Sequence, residues 1–384
     1  MKKMKRVLSL LIIMSMAVAS LAACGSASKD DKFYIGGIGP VTGGAAVYGL
    51  NVKNAAELAV EEINKAGGIN GKQIAFKFED DEHDPEKSVN AYNTLKDWGM
   101  KILMGTVTST PCKAVAAETF NDNMFELTPS ASSVDVIANG NVFQVCFTDP
   151  NQGIASAQYI GSKGIATKVA VIYDSSDVYS SGIYEKFVQE AASQSFEIVA
   201  AEAFTADSKS DFSVQIQKAK DAGADLVFLP IYYSEATLIL TQAAALGYEP
   251  IFFGCDGLDG ILGVENFDTS LAEDVMLLTP FAADATDAAT VKFVTAYKEK
   301  YGEIPNQFAA DAYDAIYIIK KAIEEGNVTP DMSVSDMCDV LKGVMPKITV
   351  DGLTGAGMTW EATGEVNKAP RAVVIKNSAY VSAE

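Results

Sequence analysis

Short apolar runs alternate with longer amphipathic stretches from residue 33 onward. Residues 33–38 are an apolar run of strand length, and from residue 51 to 63 the apolar positions follow helical spacing. The same alternation predicts strands at 72–79, 101–105, 124–127 and 143–147, with a helix from Pro85. Strands that alternate with helices are typical of parallel sheets, so the pattern predicts an α/β fold.

A second series of strands and helices follows from residue 154. It predicts helices at 154–161, 182–193 and 212–222 and strands at 168–173, 197–201 and 226–229. Residues 149–153 and 279–281 look like crossings between domains. Long amphipathic helices are predicted at 288–301 and 309–324, and short strands at 352–360 and 372–376. A chain of 384 residues is too long for one ordinary core, so two α/β domains are expected.

The segment 104–113 places hydroxyl side chains between a buried strand and a helix. Thr110 fits the N-cap and Pro111 the first helical position, while Thr108 and Ser109 add hydroxyl donors. A helix N-terminus favours an anion, because its first N–H groups have no intrahelical partner. The segment therefore predicts a carboxylate site, although such residues also cap helices without binding anything.

Further polar groups follow the other strands. A second hydroxyl loop at 128–133 comes after the strand at 124–127, and parallel strands deliver their carboxyl-end loops to the same edge. Ser109 and the loop at 130–132 are therefore expected to be neighbours. In the second domain the segments 174–179, 231–235 and 254–257 each offer an aromatic or an acid, although a tyrosine after a strand is often only a packing residue.

Two other segments carry candidate chemistry that their spacing does not support. The acidic loop 80–85 contains His83, the only histidine, but it has neither EF-hand spacing nor a zinc geometry, and a solvated loop is favoured. The glycine-rich loop at 39–49 has Thr42 where a dinucleotide fingerprint needs its third glycine, and it has no Walker lysine. No metal and no cofactor are predicted.

Residues 1–24 have the features of a lipoprotein signal peptide. A basic start precedes an apolar stretch at 7–18 that is too short to span a bilayer. The sequence LAAC at 21–24 resembles a bacterial lipobox, in which Cys24 is lipidated, although an ordinary cleavage site with a chance cysteine is the alternative. Residues 25–31 are then a flexible tether. We expect an extracytoplasmic protein that a lipid anchors to the cell membrane.

Composition narrows the class of protein further. Hydrophobic residues make up 48% and charged residues 21%, as in soluble globular proteins. The formal net charge of −20 disfavours nucleic acid, because phosphate backbones are repelled. Export permits disulfides, yet the wide spacing of Cys112, Cys146, Cys255 and Cys338 predicts no particular pairing.

An ordered set of short motifs resembles the periplasmic branched-chain amino acid binding proteins, the leucine/isoleucine/valine-type receptors of ABC transporters. The set includes GPVTG at 39–43, AELA at 56–59, INKAGGI at 63–69, TPSA at 128–131, AVIYD at 170–174 and DG at 256–257. The resemblance implies the type I periplasmic binding protein fold, with two Rossmann-like lobes joined by three hinge crossings. It also implies that residues 32–148 and 280–350 form lobe one, and that 149–279 and 351–384 form lobe two.

The resemblance implies a ligand site between the lobes. Ser109 would bind an α-carboxylate, Ser130 would offer its carbonyl to an α-ammonium, and Ser132 would keep a hydroxyl where threonine is usual. From lobe two, Tyr179 would reach the carboxylate, Tyr232 would help close the pocket, and Asp256 would neutralise the ammonium. Tyr48 would line the side-chain pocket. The family's frequent disulfide is absent, because His83 and Thr108 occupy its places, and Cys255 is also unusual.

These residues together complement a zwitterion, because they offer donors for an anion, a carboxylate for a cation and aromatics for an apolar remainder. The implied function is capture of a small amino acid, aliphatic or branched-chain, for delivery to a membrane ABC permease. One alternative is a receptor for an amide, urea or another small polar solute, although Asp256 would then lack a cation. A chemosensory domain lacks a following membrane helix here, and an enzyme lacks a triad or metal spacing.

Overall fold

The computed structural model describes residues 31–383, and their strands form two separate sheets. The strands of the first sheet are β1 (Lys32–Gly39), β2 (Gln73–Asp80), β3 (Ile102–Gly105), β4 (Phe125–Thr128) and β5 (Val142–Gln144). They are all parallel and lie in the order β2-β1-β3-β4-β5. The carboxyl ends of these strands therefore open on one edge of the sheet, as the predicted hydroxyl loops require.

The second sheet contains the remaining seven strands. They are β6 (Lys168–Asp174), β7 (Glu197–Phe204), β8 (Leu226–Leu229), β9 (Ile251–Gly254), β10 (Met276–Thr279), β11 (Arg371–Lys376) and β12 (Ala379–Ser382). Their order is β12-β11-β10-β9-β8-β6-β7, in which β11 and β12 run antiparallel to their neighbours and the others are parallel. The predicted α/β class is confirmed for both halves.

Helices cover the faces of both sheets. They are α1 (Ala46–Lys65), α2 (Pro85–Trp98), α3 (Ser109–Asn121), α4 (Asp149–Lys163), α5 (Val178–Ala191), α6 (Ser213–Asp221), α7 (Tyr233–Ala245), α8 (Ala288–Tyr301), α9 (Gln307–Gly326) and α10 (Val334–Val344). Although α8 to α10 follow β10, α9 packs along α1 and α10 packs against β4. We call the first sheet with α1–α3 and α8–α10 the first lobe, and the second sheet with α4–α7 the second lobe.

The chain passes between the lobes after β5, after β10 and before β11. The predicted crossing at 149–153 is wrong in detail, because these residues are the first turn of α4, with Thr148 as N-cap. Pro150 is tolerated there because the first helical N–H groups have no intrahelical partner. The exact lobe boundaries inferred from sequence stay predictions.

The third passage is fixed to the first lobe by buried polar contacts. Lys368 Nζ lies 3.0 Å from Asp311 Oδ1, and both side chains are almost fully buried. Asp314 accepts hydrogen bonds of 2.9 Å from the N–H groups of Leu353 and Thr354. The strand predicted at 352–360 does not form. Only two isolated β-bridges are present there, Val350–Met358 and Trp360–Val366, because the N–H groups of Leu353 and Thr354 bond to Asp314 instead of to another strand.

The central strands of both sheets have almost continuously apolar sequences because they are buried on both faces. β3, β4 and β8 are buried along their whole length, since helices cover both faces of each sheet. Within residues 31–383 no helix is both long and apolar enough to cross a membrane. The four cysteines of this part of the chain are buried and unbridged. The predicted signal peptide, most of the tether and Cys24 lie outside the described residues.

Candidate functional site

A cavity lies between the lobes at the carboxyl ends of the strands. The residues that line it are Tyr48, Val107, Thr108, Ser109, Ser130 and Phe308 from the first lobe, and Tyr179, Tyr232, Asp256 and Gly257 from the second. Six of the seven ligand residues expected from sequence therefore meet around one space, and Ser132 is the exception.

The start of α3 differs by two residues from its prediction. Thr108, not Thr110, is the N-cap, because it has an extended backbone and its carbonyl accepts the first helical hydrogen bond from Cys112 at 3.0 Å. Pro111 is then the third helical residue, where its missing N–H leaves no bond broken. The earlier start places Ser109 at the first helical position. The free N–H groups of this turn belong to Ser109, which lines the cavity, and to Thr110, because Pro111 has no N–H and that of Cys112 is bonded to Thr108.

Hydroxyl groups join the two loops of the first lobe, as their strand order predicts. Ser109 Oγ accepts hydrogen bonds from the N–H groups of Ser132 and Ser133, both at 3.2 Å, and it keeps its own hydrogen. Ser130 Oγ donates to the Val107 carbonyl at 2.7 Å. Ser132 Oγ is buried beside the carboxyl of Asp149 and does not line the cavity. Ser109 therefore has a hydroxyl hydrogen to offer an anion, whereas Ser132 points elsewhere.

Asp256 supplies the acid of the second lobe. It is the second residue after the end of β9, and only 4% of its surface is exposed. Its Oδ1 accepts a hydrogen bond of 2.8 Å from Tyr179, and its N–H donates to Gln152 Oε1 at 3.2 Å. Burial raises the pKa of Asp256 to about 7, because the ionised carboxylate loses its hydration. A cation in the cavity would remove this penalty.

The hydroxyl of Tyr179 is already engaged on its own lobe. It donates to Asp256 and accepts from the Gly257 N–H at 2.9 Å. The Asp177 carboxylate caps α5, so the helix starts at Val178 and not at the predicted residue 182. This earlier start places Tyr179 in the first turn, where its side chain is directed toward Asp256. In this structure Tyr179 therefore contacts the acid rather than a position for a ligand carboxylate.

Aromatic rings form the rest of the cavity wall. The Tyr232 ring stacks on Tyr179 with centroids 4.8 Å apart, and Tyr48 meets Phe308 at 4.3 Å. The Tyr48 hydroxyl donates to the Gly257 carbonyl and accepts from the Tyr233 N–H at 3.1 Å. Tyr48 belongs to the first lobe and both partners belong to the second. It therefore lines the pocket as expected and also holds the lobes together.

Some residues of the site are absent from the sequence-based set. Phe308 is the second residue of α9, and only the packing of that helix on α1 brings it to the cavity. Gln307 lies beside it and donates from Nε2 to the Asp256 carbonyl at 2.9 Å. Gln152, within the first turn of α4, supports Asp256 from the other side. The only local sequence signal for the role of Gln152 is that it is a polar side chain in the first turn of a helix that follows a crossing.

The acidic loop at 80–85 is less solvated than its sequence predicts. Asp81 is fully buried, and burial raises its pKa to about 7. Its neighbour Asp80 accepts hydrogen bonds from Val41 and Thr42, and Asp84 caps α2. The loop thus closes the glycine-rich turn after β1. Among residues 31–383 no group of three or more ligating side chains is arranged to hold a metal ion.

Two strand-connected lobes that enclose a polar cavity define the class of solute-binding receptors. A family model described as periplasmic binding protein matches residues 32–379, and the chain belongs to this family. Its fold is that of type I periplasmic binding proteins.

A LivJ structure from Streptococcus pneumoniae, a branched-chain amino acid transporter substrate-binding protein in complex with isoleucine, matches with a TM-score of 0.83. Sequence identity is 28%, with 92% of this chain and 99% of that chain covered.

Two curated relatives are similar over most of their length. Leu/Ile/Val-binding protein homolog 3 of Brucella melitensis is 31% identical over 368 residues, which cover 94% of this chain and 95% of the relative. The leucine-, isoleucine-, valine-, threonine- and alanine-binding protein of Pseudomonas aeruginosa is 31% identical over 324 residues, covering 83% and 84%. The resemblance inferred from sequence motifs is confirmed.

Proposed function

We propose that the protein captures a branched-chain or other small aliphatic amino acid in the interlobe cavity and delivers it to a membrane ABC permease. One observation carries the proposal. A helix start with a free hydroxyl hydrogen, at Ser109, and a buried acid, Asp256, line the same cavity from opposite lobes. The bound ligands named for the relatives above support this choice of ligand.

Each end of the ligand has matching groups. Ser109 and the first N–H groups of α3 bind the carboxylate, because helix N-termini favour anions. Asp256 and the Ser130 carbonyl bind the ammonium. Tyr48 and Tyr232 enclose the side chain. The hydroxyl of Tyr179 keeps Asp256 in place by its hydrogen bond. It contacts the ligand carboxylate only if the ligand ammonium replaces it at Asp256.

Binding requires closure of the lobes about the three passages. The ligand's two charged ends are held by different lobes, so the closed form binds more tightly than an open one and the ligand shifts the equilibrium toward it. Small-angle scattering of the full chain should show a smaller radius of gyration with saturating isoleucine. An unchanged radius would contradict the hinge.

A neutral amide or urea is the second candidate ligand. The pKa of Asp256 near 7 favours it, because an uncharged carboxyl at neutral pH tolerates a ligand without a cation. Calorimetric titration of the full chain with leucine, isoleucine, valine, urea and acetamide distinguishes the two. We expect one amino acid bound per chain and no heat from either amide. Binding of an amide alone would replace the proposed function.

The protein works outside the cytoplasm and is attached through Cys24. The lipobox-like sequence at 21–24 and the family's periplasmic role support this part of the proposal. Catalysis has no part in it, since capture and release need no chemical step. Expression of Cys24→Ala with a labelled fatty acid should abolish the label found on the parent chain, and retained label would contradict anchoring at this residue.

A further inference from the structure

A second cavity lies beside the ligand cavity, with Tyr232 in the wall of both. The first lobe contributes His83, and the charged groups from the second lobe are Asp174, Asp177, Lys209 and Glu235. Because the lining comes from both lobes, this cavity forms only when the lobes close.

His83 contacts one wall residue of the ligand cavity on each lobe, from outside that cavity. Its Nδ1 lies 2.9 Å from Thr108 Oγ1, and Thr108 precedes Ser109 in that wall. Its ring meets Tyr232 edge-on with centroids 5.3 Å apart, and Tyr232 stacks on Tyr179. A change at His83 is therefore transmitted to both halves of the ligand cavity.

We propose that His83 is a positioning residue for ligand capture, whose neutral imidazole permits the lobes to close and whose protonation opposes closure. The inference rests on the proposed function, because it concerns the same site. His83 itself does not touch the ligand cavity. It acts through Thr108 and Tyr232.

The charges around His83 come from several elements. Asp81, Glu82 and Asp84 belong to its own loop, and across the cleft the facing groups are Asp174 and Asp177 before α5, Lys209 before α6, and Glu235 in α7. Among the described residues none of these acids lies within 4 Å of the ring nitrogens as an ion pair. Without a direct ion pair, these acids offset only part of the hydration that an imidazolium loses on closure.

The nearest acids are already engaged with other partners. Asp177 Oδ2 accepts from Thr110 at 3.1 Å, and its Oδ1 accepts from the Tyr179 N–H at 2.8 Å. Glu235 lies 3.3 Å from Lys209. Burial accordingly lowers the pKa of His83 in the closed cleft, although Asp177 opposes part of the change.

The sign of the pH effect follows from this difference. In an open cleft the imidazole reaches water and titrates near its ordinary pKa of about 6.5. Well above that pH the ring is neutral in both forms, and closure is unaffected. As the pH falls, the open form takes up a proton more readily than the closed form, in which His83 is half-buried and its pKa is lowered. The largest effect is therefore about tenfold weaker binding at pH 5.5 than at pH 7.5.

The test compares the full wild-type chain with His83→Gln, both prepared without a histidine tag. Isoleucine is titrated calorimetrically at pH 7.5 and 5.5, and the ratio of the two dissociation constants is compared. Titration of Asp256 affects both chains and cancels in the comparison. We expect the wild-type ratio to exceed that of the variant by up to about tenfold. Equal ratios, or a larger ratio in the variant, would overturn the inference.

A second measurement does not depend on a variant that folds. The chain has one histidine, so its imidazole C–H resonance reports His83 alone. We expect a lower pKa for this resonance in the isoleucine-saturated chain than in the free chain, and an equal or higher pKa would overturn the inference. If wild type binds no isoleucine at pH 7.5, the proposed function fails and this inference fails with it. Binding with parallel pH profiles overturns this inference alone.

Discussion

The two lobes build their halves of the ligand cavity from different chemistry. The first lobe uses Ser109, an uncharged hydroxyl whose oxygen already accepts two backbone hydrogen bonds. The second lobe uses Asp256, an acid that burial has pushed to a pKa of about 7. An empty hydroxyl loop costs little, whereas an empty buried carboxylate is unfavourable. Selection for a charged amine therefore depends mainly on the second lobe.

The interlobe contacts add a second lesson. Tyr48 of the first lobe bonds to the backbone of Gly257 and Tyr233, next to the acid. The hydrogen bonds of Tyr48, which involve no charged group, thus link the first lobe's half of the cavity to the second lobe's half. Substitutions in each half should separate these contributions.

The largest effect is expected for Asp256→Asn. Loss of the only acid lining the cavity leaves the ligand ammonium buried without a counter-charge, which costs about 3 kcal/mol or more, over 100-fold in affinity. Calorimetric titration with isoleucine measures it. Glu126→Gln is the matched control, since Glu126 is fully buried in the first lobe with a pKa of about 8 and does not line the cavity. Equal losses in both variants would contradict the role of Asp256.

A smaller loss is expected for Ser109→Ala. A hydrogen bond to a charged group contributes about 1.5–3 kcal/mol, so affinity should fall roughly ten- to hundredfold while the helix N–H groups remain. The same titration checks this value. If Ser109→Ala costs more than Asp256→Asn, the first lobe rather than the second dominates selection.

Tyr48→Phe tests the link between the halves. The ring stays in the wall, but two interlobe hydrogen bonds are lost, and we expect binding weaker by about 1–2 kcal/mol, or five- to thirtyfold. Most of the change should appear in the dissociation rate, measured by stopped-flow fluorescence. Tyr301→Phe is the control, because its hydroxyl bonds to the Asn54 carbonyl within the first lobe. Unchanged dissociation in Tyr48→Phe would rule out the link.

The smallest effect is expected for Ser132→Ala. Its hydroxyl lies outside the ligand cavity, beside the buried carboxyl of Asp149, so affinity should change by less than about threefold. Titration beside Ser109→Ala gives the contrast between two serines of one loop pair. A tenfold loss would restore the ligand role that the sequence predicts for Ser132.

Much of the fold was predictable because its signals are local. The helix at 288–301 and the strand at 226–229 are found with the predicted bounds, since their periodicity and end residues depend only on neighbours in sequence. Helix starts were less predictable. At 109 the helix begins two residues before its predicted start, because Pro111 is the third helical residue and not the first. At 149 the helix begins within residues that the sequence predicts as a crossing.

The sequence alone determined the two-lobed α/β class and the strand ends that carry Ser109, Ser130 and Asp256. Parallel strands bring their carboxyl-end loops to one edge whatever the details of packing. Only the tertiary structure decided which side chains face the cavity. It placed Phe308 there and Ser132 outside, buried Asp81, and set His83 against Tyr232. Such contacts depend on the relative positions of elements far apart in sequence, which no local pattern encodes.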